Sequence, residues 1–177
     1  MDGYKLVNSN KNYPFWNDGK KVYFLVHEIK NADLDSFIIY DEDIPWAKDK
    51  KTVYCQSSIF RNADKDTFEA LNYSFAKDKL NVWTTNGKID NVDIKTFVVC
   101  DSGKVHIKDT TLDGKLFKII RPMGYGKDKN NVYYYNGNDV KAYKPKIVSG
   151  ALPDTFVSMN DGNFGYDENS VYYRNKN

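Results

Sequence analysis

A short motif recurs along the chain at intervals of about 30 residues, and this repetition constrains the fold more than any other feature. The motif has a central Asp, an aromatic residue three positions before it, Val four positions after it and a second aromatic residue five positions after it. Because so short a unit cannot bury an apolar face alone, successive units must stack or pair. The four clear copies are 46–54, 75–83, 125–133 and 164–172, with a shortened copy at 16–23 and a weaker one at 101–106.

The second half of each unit also repeats. Three segments contain an Asn, an Asp two positions later and a Phe four positions after that Asp: 31–37, 62–68 and 91–97. In each segment the Phe falls 19 positions after the motif Asp, whereas Phe156 follows Asp128 by 28 positions. The longer spacing indicates an insertion at 138–153, and insertions in repeat proteins often carry recognition.

Each unit is predicted to form strands joined by tight turns. Segments 82–85 and 132–135 are rich in Val and aromatic residues or Thr, and each precedes Asn-Gly, the pair that favours a type I′ hairpin turn. No stretch has sustained helical spacing of apolar residues. We therefore predict an all-β fold of tandem antiparallel β-hairpin repeats, about 30 residues each, in an open twisted or solenoid-like sheet. A small β-propeller is the alternative. Residues 1–177 are predicted to be a single domain of five to six repeats, with the pattern broken over 98–124.

The motif also carries a family resemblance. The segment from Tyr125 to Tyr135 reads Tyr-Gly-Lys-Asp-Lys-Asn-Asn-Val-Tyr-Tyr-Tyr, and with its relatives it resembles the bacterial DKNYY repeat family. The resemblance covers most of the chain, from about residue 16 to residue 173. It implies a repeat protein from bacteria, in a family with both exported and non-exported members. It supplies no catalytic residues that could be assigned to positions in this chain.

Charge and apolar patterning exclude several classes of protein. Lys and Arg total 26 and Asp and Glu total 24, and the interleaved charges leave a net charge of only +2. This balance argues against a nucleic-acid partner, which usually meets a concentrated basic surface. The longest apolar runs, such as 37–40, are too short for a membrane span. Without a signal-peptide pattern at the N-terminus, we expect a cytoplasmic location, or a periplasmic or surface location if a signal peptide was removed.

Residues that could support catalysis or bind a metal are few. His27 and His106 lack the spacing of metal ligands and are predicted to lie on strand faces. Cys55 and Cys100 match no metal or redox motif and are predicted to be reduced thiols. We predict no catalytic residue, no cofactor and no metal site.

The repeated Asp residues are predicted to cap turns. A row of Ca²⁺ sites is the alternative, but each unit supplies only one carboxylate there, in most units beside Lys, which repels cations. An Asp carboxylate can instead accept hydrogen bonds from backbone N–H groups two residues further on. The residues assigned to structural turns are Asp49, Asp78, Asp128 and Asp167.

An acidic cluster is one candidate for partner binding. Asp41, Glu42 and Asp43 are consecutive and lie shortly before Pro45. They could receive a basic partner, and the alternative is a solvated loop.

Tyrosines form the second candidate binding surface, at Tyr133, Tyr135 and Tyr143. Strand alternation places Tyr133 and Tyr135 on one face of a sheet and Tyr134 on the other. Because both faces of a single-layer sheet cannot be core, some Tyr rings are expected to be exposed. Exposed Tyr rings favour protein contacts and sugar stacking. The alternative is cross-strand packing between repeats.

These observations favour an interaction protein over an enzyme. The leading hypothesis is a non-catalytic protein-binding domain, in its most specific form an immunity protein that inhibits a cognate bacterial toxin. The alternative is an exported surface module that binds a glycan or a host protein. Open sheet edges would also permit self-association.

Overall fold

The structure is a computed structural model that describes residues 5–6, 15–41, 44–112, 115–137 and 144–177. Within these residues it contains twenty β-strands, one 3₁₀ helix and no α-helix, so the all-β prediction is confirmed. No helix of the described part is long and apolar enough to cross a membrane. Two compact units, Met1–Ala70 and Leu71–Asn177, divide the chain and are described separately.

The first unit contains two four-stranded antiparallel sheets. A 3₁₀ helix, η1 (Leu34–Ser36), lies between the sheets in sequence, and β9 (Glu69–Ala70) ends the unit. The first sheet is β1 (Lys5–Leu6), β2 (Phe15–Asn17), β3 (Val22–Phe24) and β4 (His27–Glu28), and the second is β5 (Ile38–Ile39), β6 (Trp46–Lys48), β7 (Val53–Cys55) and β8 (Ser58–Phe60).

The second unit contains three antiparallel groups of strands. The first is β10 (Phe75–Lys77), β11 (Val82–Thr84) and β12 (Gly87–Lys88). The second is β13 (Val98–Val99), β14 (Lys104–Leu112), β15 (Lys115–Lys127), β16 (Val132–Asn136) and β17 (Lys146–Ile147), and the third is β18 (Val157–Ser158), β19 (Phe164–Tyr166) and β20 (Val171–Tyr173).

The central hairpin has the same register in every group of strands. The residue immediately before the motif Asp is paired with the motif Val four positions after that Asp. This shared register confirms tandem antiparallel β-hairpin repeats, which lie in several small sheets and not in one continuous sheet. The five pairs are Asn17↔Val22, Lys48↔Val53, Lys77↔Val82, Lys127↔Val132 and Tyr166↔Val171.

The middle sheet of the second unit has core on both of its faces. Tyr134 packs in a cluster with Tyr172 of the following sheet and with Phe156, which precedes that sheet. Tyr133 and Tyr135 pack in another cluster with Phe75 and Phe97, among others. The alternation of these Tyr rings is as predicted, but the expectation of exposed Tyr rings is wrong for these three residues. The sheets of this unit stack on one another, so β16 lies between two apolar layers and all three rings are buried.

The irregular stretch 98–124 contains a long hairpin inserted into the repeat. Phe97 precedes the motif aromatic Tyr125 by 28 residues, whereas Phe68 precedes Phe75 by only 7. Strands β14 and β15 account for the extra residues and pair from Lys104↔Pro122 to Leu112↔Lys115, with an irregularity in register at residue 107. We call residues 104–122 the arm.

Asp101, in the weak motif copy, lies just before the arm and connects it to other residues of the second unit. The Asp101 carboxylate accepts hydrogen bonds from Gly103 N, Tyr125 N and Ser158 Oγ at 2.8–2.9 Å. Burial raises the pKa of the Asp101 carboxyl despite these hydrogen bonds. The weak copy therefore corresponds to a real turn, although it does not start a regular repeat.

The described part of the insertion at 138–153 contains a strand. Residues 138–143 lie outside the described residues. The remainder supplies strand β17, which pairs with β16 through Tyr133↔Ile147 and Tyr134↔Lys146. Val148 is buried in the cluster that contains Tyr134. The described part of the insertion therefore contributes to the sheet and to the core.

Close stacking generates a testable prediction at Gly126. A Cβ atom built at Gly126 would lie 2.5 Å from Cζ of Phe97, whereas the equivalent positions in two other repeats accept Ala47 and Ala76. We expect Gly126→Ala to lower the free energy of unfolding by about 1–3 kcal/mol, the usual cost of overpacking. Urea denaturation measures the change. In a Phe97→Leu background, which lacks the end of the aromatic ring, Gly126→Ala should lower the free energy of unfolding by less. An equal loss of stability in both backgrounds would contradict this packing.

Candidate functional site

The motif Asp residues lie in the turns that close the central hairpins. One carboxylate oxygen, Oδ1, accepts hydrogen bonds from the backbone N–H groups two and three residues later. The other, Oδ2, accepts one from the aromatic side chain five residues later. The aromatic donors are Tyr54 Oη to Asp49, Trp83 Nε1 to Asp78, Tyr133 Oη to Asp128 and Tyr172 Oη to Asp167, at 2.7–2.9 Å.

The same Oδ2 atom also connects the turn to the second half of the preceding unit. Asp49 Oδ2 accepts the backbone N–H of Asp33 at 2.7 Å. Asp128 Oδ2 accepts that of Asp93 at 2.8 Å. Asp167 Oδ2 accepts the N–H of Leu152, also at 2.8 Å. Each of these three carboxylates thus accepts four hydrogen bonds and joins two polar turns.

Electrostatics agree with a structural role for these carboxylates. Burial opposes ionisation of Asp128, but its hydrogen bonds outweigh burial and hold the pKa of the carboxyl below its ordinary value. Burial together with the neighbouring Asp128 raises the pKa of Tyr133 to about 12. Because four donors occupy the carboxylate of Asp128, few lone pairs remain for a cation. No group of three or more His, Cys, Asp or Glu residues in the described part of the chain could hold a metal.

The structure describes three of the six residues predicted to bind a partner. Asp41 is exposed, while Glu42, Asp43 and Tyr143 lie outside the described residues. Tyr133 and Tyr135 are core residues and are not available as exposed rings.

The last repeat instead exposes positions that the four earlier repeats bury. Phe164, Val171 and Tyr173 are 39%, 65% and 47% exposed, and Tyr166 on the same face is 45% exposed. These four residues form two directly opposed pairs on β19 and β20, and we call them the end face. Positions equivalent to Phe164, Val171 and Tyr173 are at most 4% exposed in the other repeats: Phe15, Val22 and Phe24; Trp46, Val53 and Cys55; Phe75, Val82 and Thr84; Tyr125, Val132 and Tyr134.

A basic cleft of about 250 Å³ adjoins the end face at Tyr173. Among the described residues, its lining contains four cationic side chains and no Asp or Glu. Two tyrosines and two asparagines complete it. The lining residues are Tyr134, Asn136, Lys144, Lys146, Tyr173, Arg174, Asn175 and Lys176.

Reasoning from the sequence located the copy at 164–172 but did not identify the end face. No sequence signal distinguishes its aromatic and Val positions, because the same residue types are buried in the earlier copies. The basic cleft had no signal either, because its cations come from 144–146 and 174–176, segments that the fold brings together.

Comparison with known proteins identifies the repeat. The sequence model of the DKNYY family matches residues 1–58 and 46–177, two overlapping segments that together cover the chain. No curated protein and no solved structure matches it.

The carboxylate of Asp128 generates a testable prediction. In Asp128→Asn, the amide nitrogen cannot accept hydrogen bonds from Tyr133 Oη and Asp93 N. We therefore expect the free energy of unfolding at neutral pH to fall by about 2–3 kcal/mol. Because the folded-state pKa of Asp128 is lowered, its ionised form stabilises the fold above the unfolded-state value of 3.8, and this stabilisation is lost as the pH falls through the folded-state pKa.

The difference in free energy of unfolding between Asp128→Asn and the parent protein should therefore be smaller in acid. Urea denaturation at neutral pH and at about pH 3, below the unfolded-state pKa, measures it. Asp154→Asn, at an exposed position of the same unit, is the control and should change stability little. An equal destabilisation of Asp128→Asn at both pH values would show that the charge of Asp128 is not involved.

Proposed function

The chain belongs to the DKNYY family, and we propose that it is a non-catalytic protein-binding domain whose partner docks on the end face. The family repeat accounts for the stacked hairpins and does not specify an activity. The proposal therefore depends on what the repeats present to solvent in this chain.

The exposure of the end face carries the proposal. Phe164, Tyr166, Val171 and Tyr173 are four large side chains directed to one side of a two-stranded hairpin. Burial of apolar surface contributes about 25 cal/mol per Å², and contiguous exposed patches commonly mark protein contacts. Tyr is also favoured in interfaces because it supplies a large contact area with few rotatable bonds.

The charges beside the end face favour a partner with an acidic surface. Lys144, Lys146, Arg174 and Lys176 line the adjoining cleft. Charge complementarity of this kind accelerates association and selects the orientation of the partner.

We further propose that the partner is a bacterial toxin and that the domain is its immunity protein. The end face is supported by a packed core: Phe156 and Tyr172 lie in one buried cluster with Tyr125 and Tyr134. A surface that is already ordered loses little conformational entropy on binding, which suits a tight inhibitor.

A glycan-binding surface module is the second candidate. The observation that favours it is the ring of Tyr173, which is 47% exposed and borders the basic cleft. Exposed aromatic rings of this kind can stack on sugars. A glycan array tests this candidate separately from protein capture.

The end face generates the test of the proposed function. In tagged protein used to capture partners from a lysate of the source organism, Tyr166→Ser combined with Val171→Ser should abolish retention of the specific partner. Both residues are exposed, so we expect the melting temperature to change by no more than a few degrees. The control is Leu80→Ser combined with Val98→Ser, two residues of the same unit that are 61% and 50% exposed. This control should retain the partner.

Growth of cells that express the captured partner tests the immunity role. Co-expression of the domain should restore growth, and the Tyr166→Ser/Val171→Ser variant should not. Equal retention of the partner by the end-face variant and the control would contradict docking on the end face. A captured partner that is harmless when expressed would contradict the toxin hypothesis while leaving the protein-binding proposal intact.

A further inference from the structure

We infer that the basic cleft binds an acidic peptide segment of the partner, through carboxylates that meet its four cationic side chains. The inference rests on the proposed protein-binding function and specifies the chemistry of the partner. It concerns the cleft between the last two groups of strands of the second unit, beside the end face.

Two cations of the cleft are not paired with carboxylates of the described residues. Lys144 forms an ion pair with Asp90. Arg174 and Lys176 form no ion pair with any residue that the structure describes. Because no Asp or Glu among the described residues lines the cleft, an incoming carboxylate is attracted to these two cations.

The Arg174 side chain is held in place before any ligand binds. Its Nε donates a hydrogen bond to Asn163 Oδ1 at 3.1 Å, and its guanidinium carbon lies 5.0 Å from the centroid of the Tyr173 ring. The backbone of Arg174 is anchored as well, because its carbonyl accepts the Tyr125 hydroxyl at 2.8 Å. A guanidinium fixed in this way is suited to planar recognition of a carboxylate.

The distribution of polar groups favours a peptide over a single compact ion. The cations come from two separate segments, Lys144 and Lys146 from one and Arg174 and Lys176 from the other. Several carboxylates spaced along a chain can meet them individually. The amides of Asn136 and Asn175 lie among the cations, and amides complement the N–H and C=O groups of a peptide backbone.

A labelled oligoglutamate peptide tests the inference on the full chain by fluorescence anisotropy. We expect saturable binding that weakens with added salt. Lys146→Gln combined with Lys176→Gln should weaken it about tenfold, a change of about 1.4 kcal/mol in binding free energy. The matched control is Lys95→Gln combined with Lys108→Gln, which removes the same charge from exposed positions outside the cleft. It should bind as the parent protein does, and an oligoglutamine peptide should not bind.

Two outcomes would overturn the inference. Equal weakening by the two lysine variants would show that only net charge matters. Binding of inorganic pyrophosphate at the cleft without binding of oligoglutamate would indicate a small oxyanion ligand instead.

The variants separate this inference from the proposed function. Tyr166→Ser combined with Val171→Ser should leave oligoglutamate binding intact while it abolishes partner capture. If Lys146→Gln combined with Lys176→Gln retains both the peptide and the partner, the cleft inference fails and end-face docking stands.

Discussion

The structure depends on one carboxylate in each repeat. Asp128 shows why: its short side chain reaches two backbone N–H groups of its own turn, the hydroxyl of Tyr133 and the N–H of Asp93. A single group therefore closes the hairpin, orients an aromatic ring and holds the linking turn. An uncharged or longer side chain would not satisfy all four donors with this geometry. Because these bonds determine register at the turn, central strands of only three to five residues suffice in most repeats.

The stacking of the sheets in the second unit then determines which side chains remain exposed to solvent. Along β16, Tyr134 contributes to one apolar layer while Tyr133 and Tyr135 contribute to the other. The middle group of strands therefore uses one face toward the preceding group and the opposite face toward the following one. The end face has aromatic and Val residues at positions whose equivalents are buried in the earlier copies, and here these residues are exposed.

The sequence was most informative where the structure is governed by local chemistry. The motif Asp and the Val four residues later are features of turns and strands, and they predict the hairpins correctly. The Asn-Gly pairs do not form the predicted turns. Thr84 pairs with Gly87, so residues 85–86 form that turn, and Asn136 lies within β16. The sequence does not show what lies against each face of a strand, so it did not decide between exposure of Tyr133 and Tyr135 and the alternative of packing between repeats. The arm and the buried Val148 were missed for a related reason. Both lie where the repeat spacing changes, and equivalence between repeats no longer assigns a register there.

The two parts of the candidate interface would act differently in recognition. The apolar surface of Phe164 and Val171 would supply non-directional affinity, which alone selects a partner poorly. The cations of the cleft would supply specificity for one binding orientation. In any other orientation the partner's carboxylate does not contact Arg174, and charges on both molecules are left unpaired. Arg174 is bonded to Asn163, and Tyr173 belongs to both the end face and the cleft. The residues proposed to supply affinity and those proposed to supply specificity are therefore adjacent at the end of one hairpin. A partner must bind the end face and the cleft at the same time.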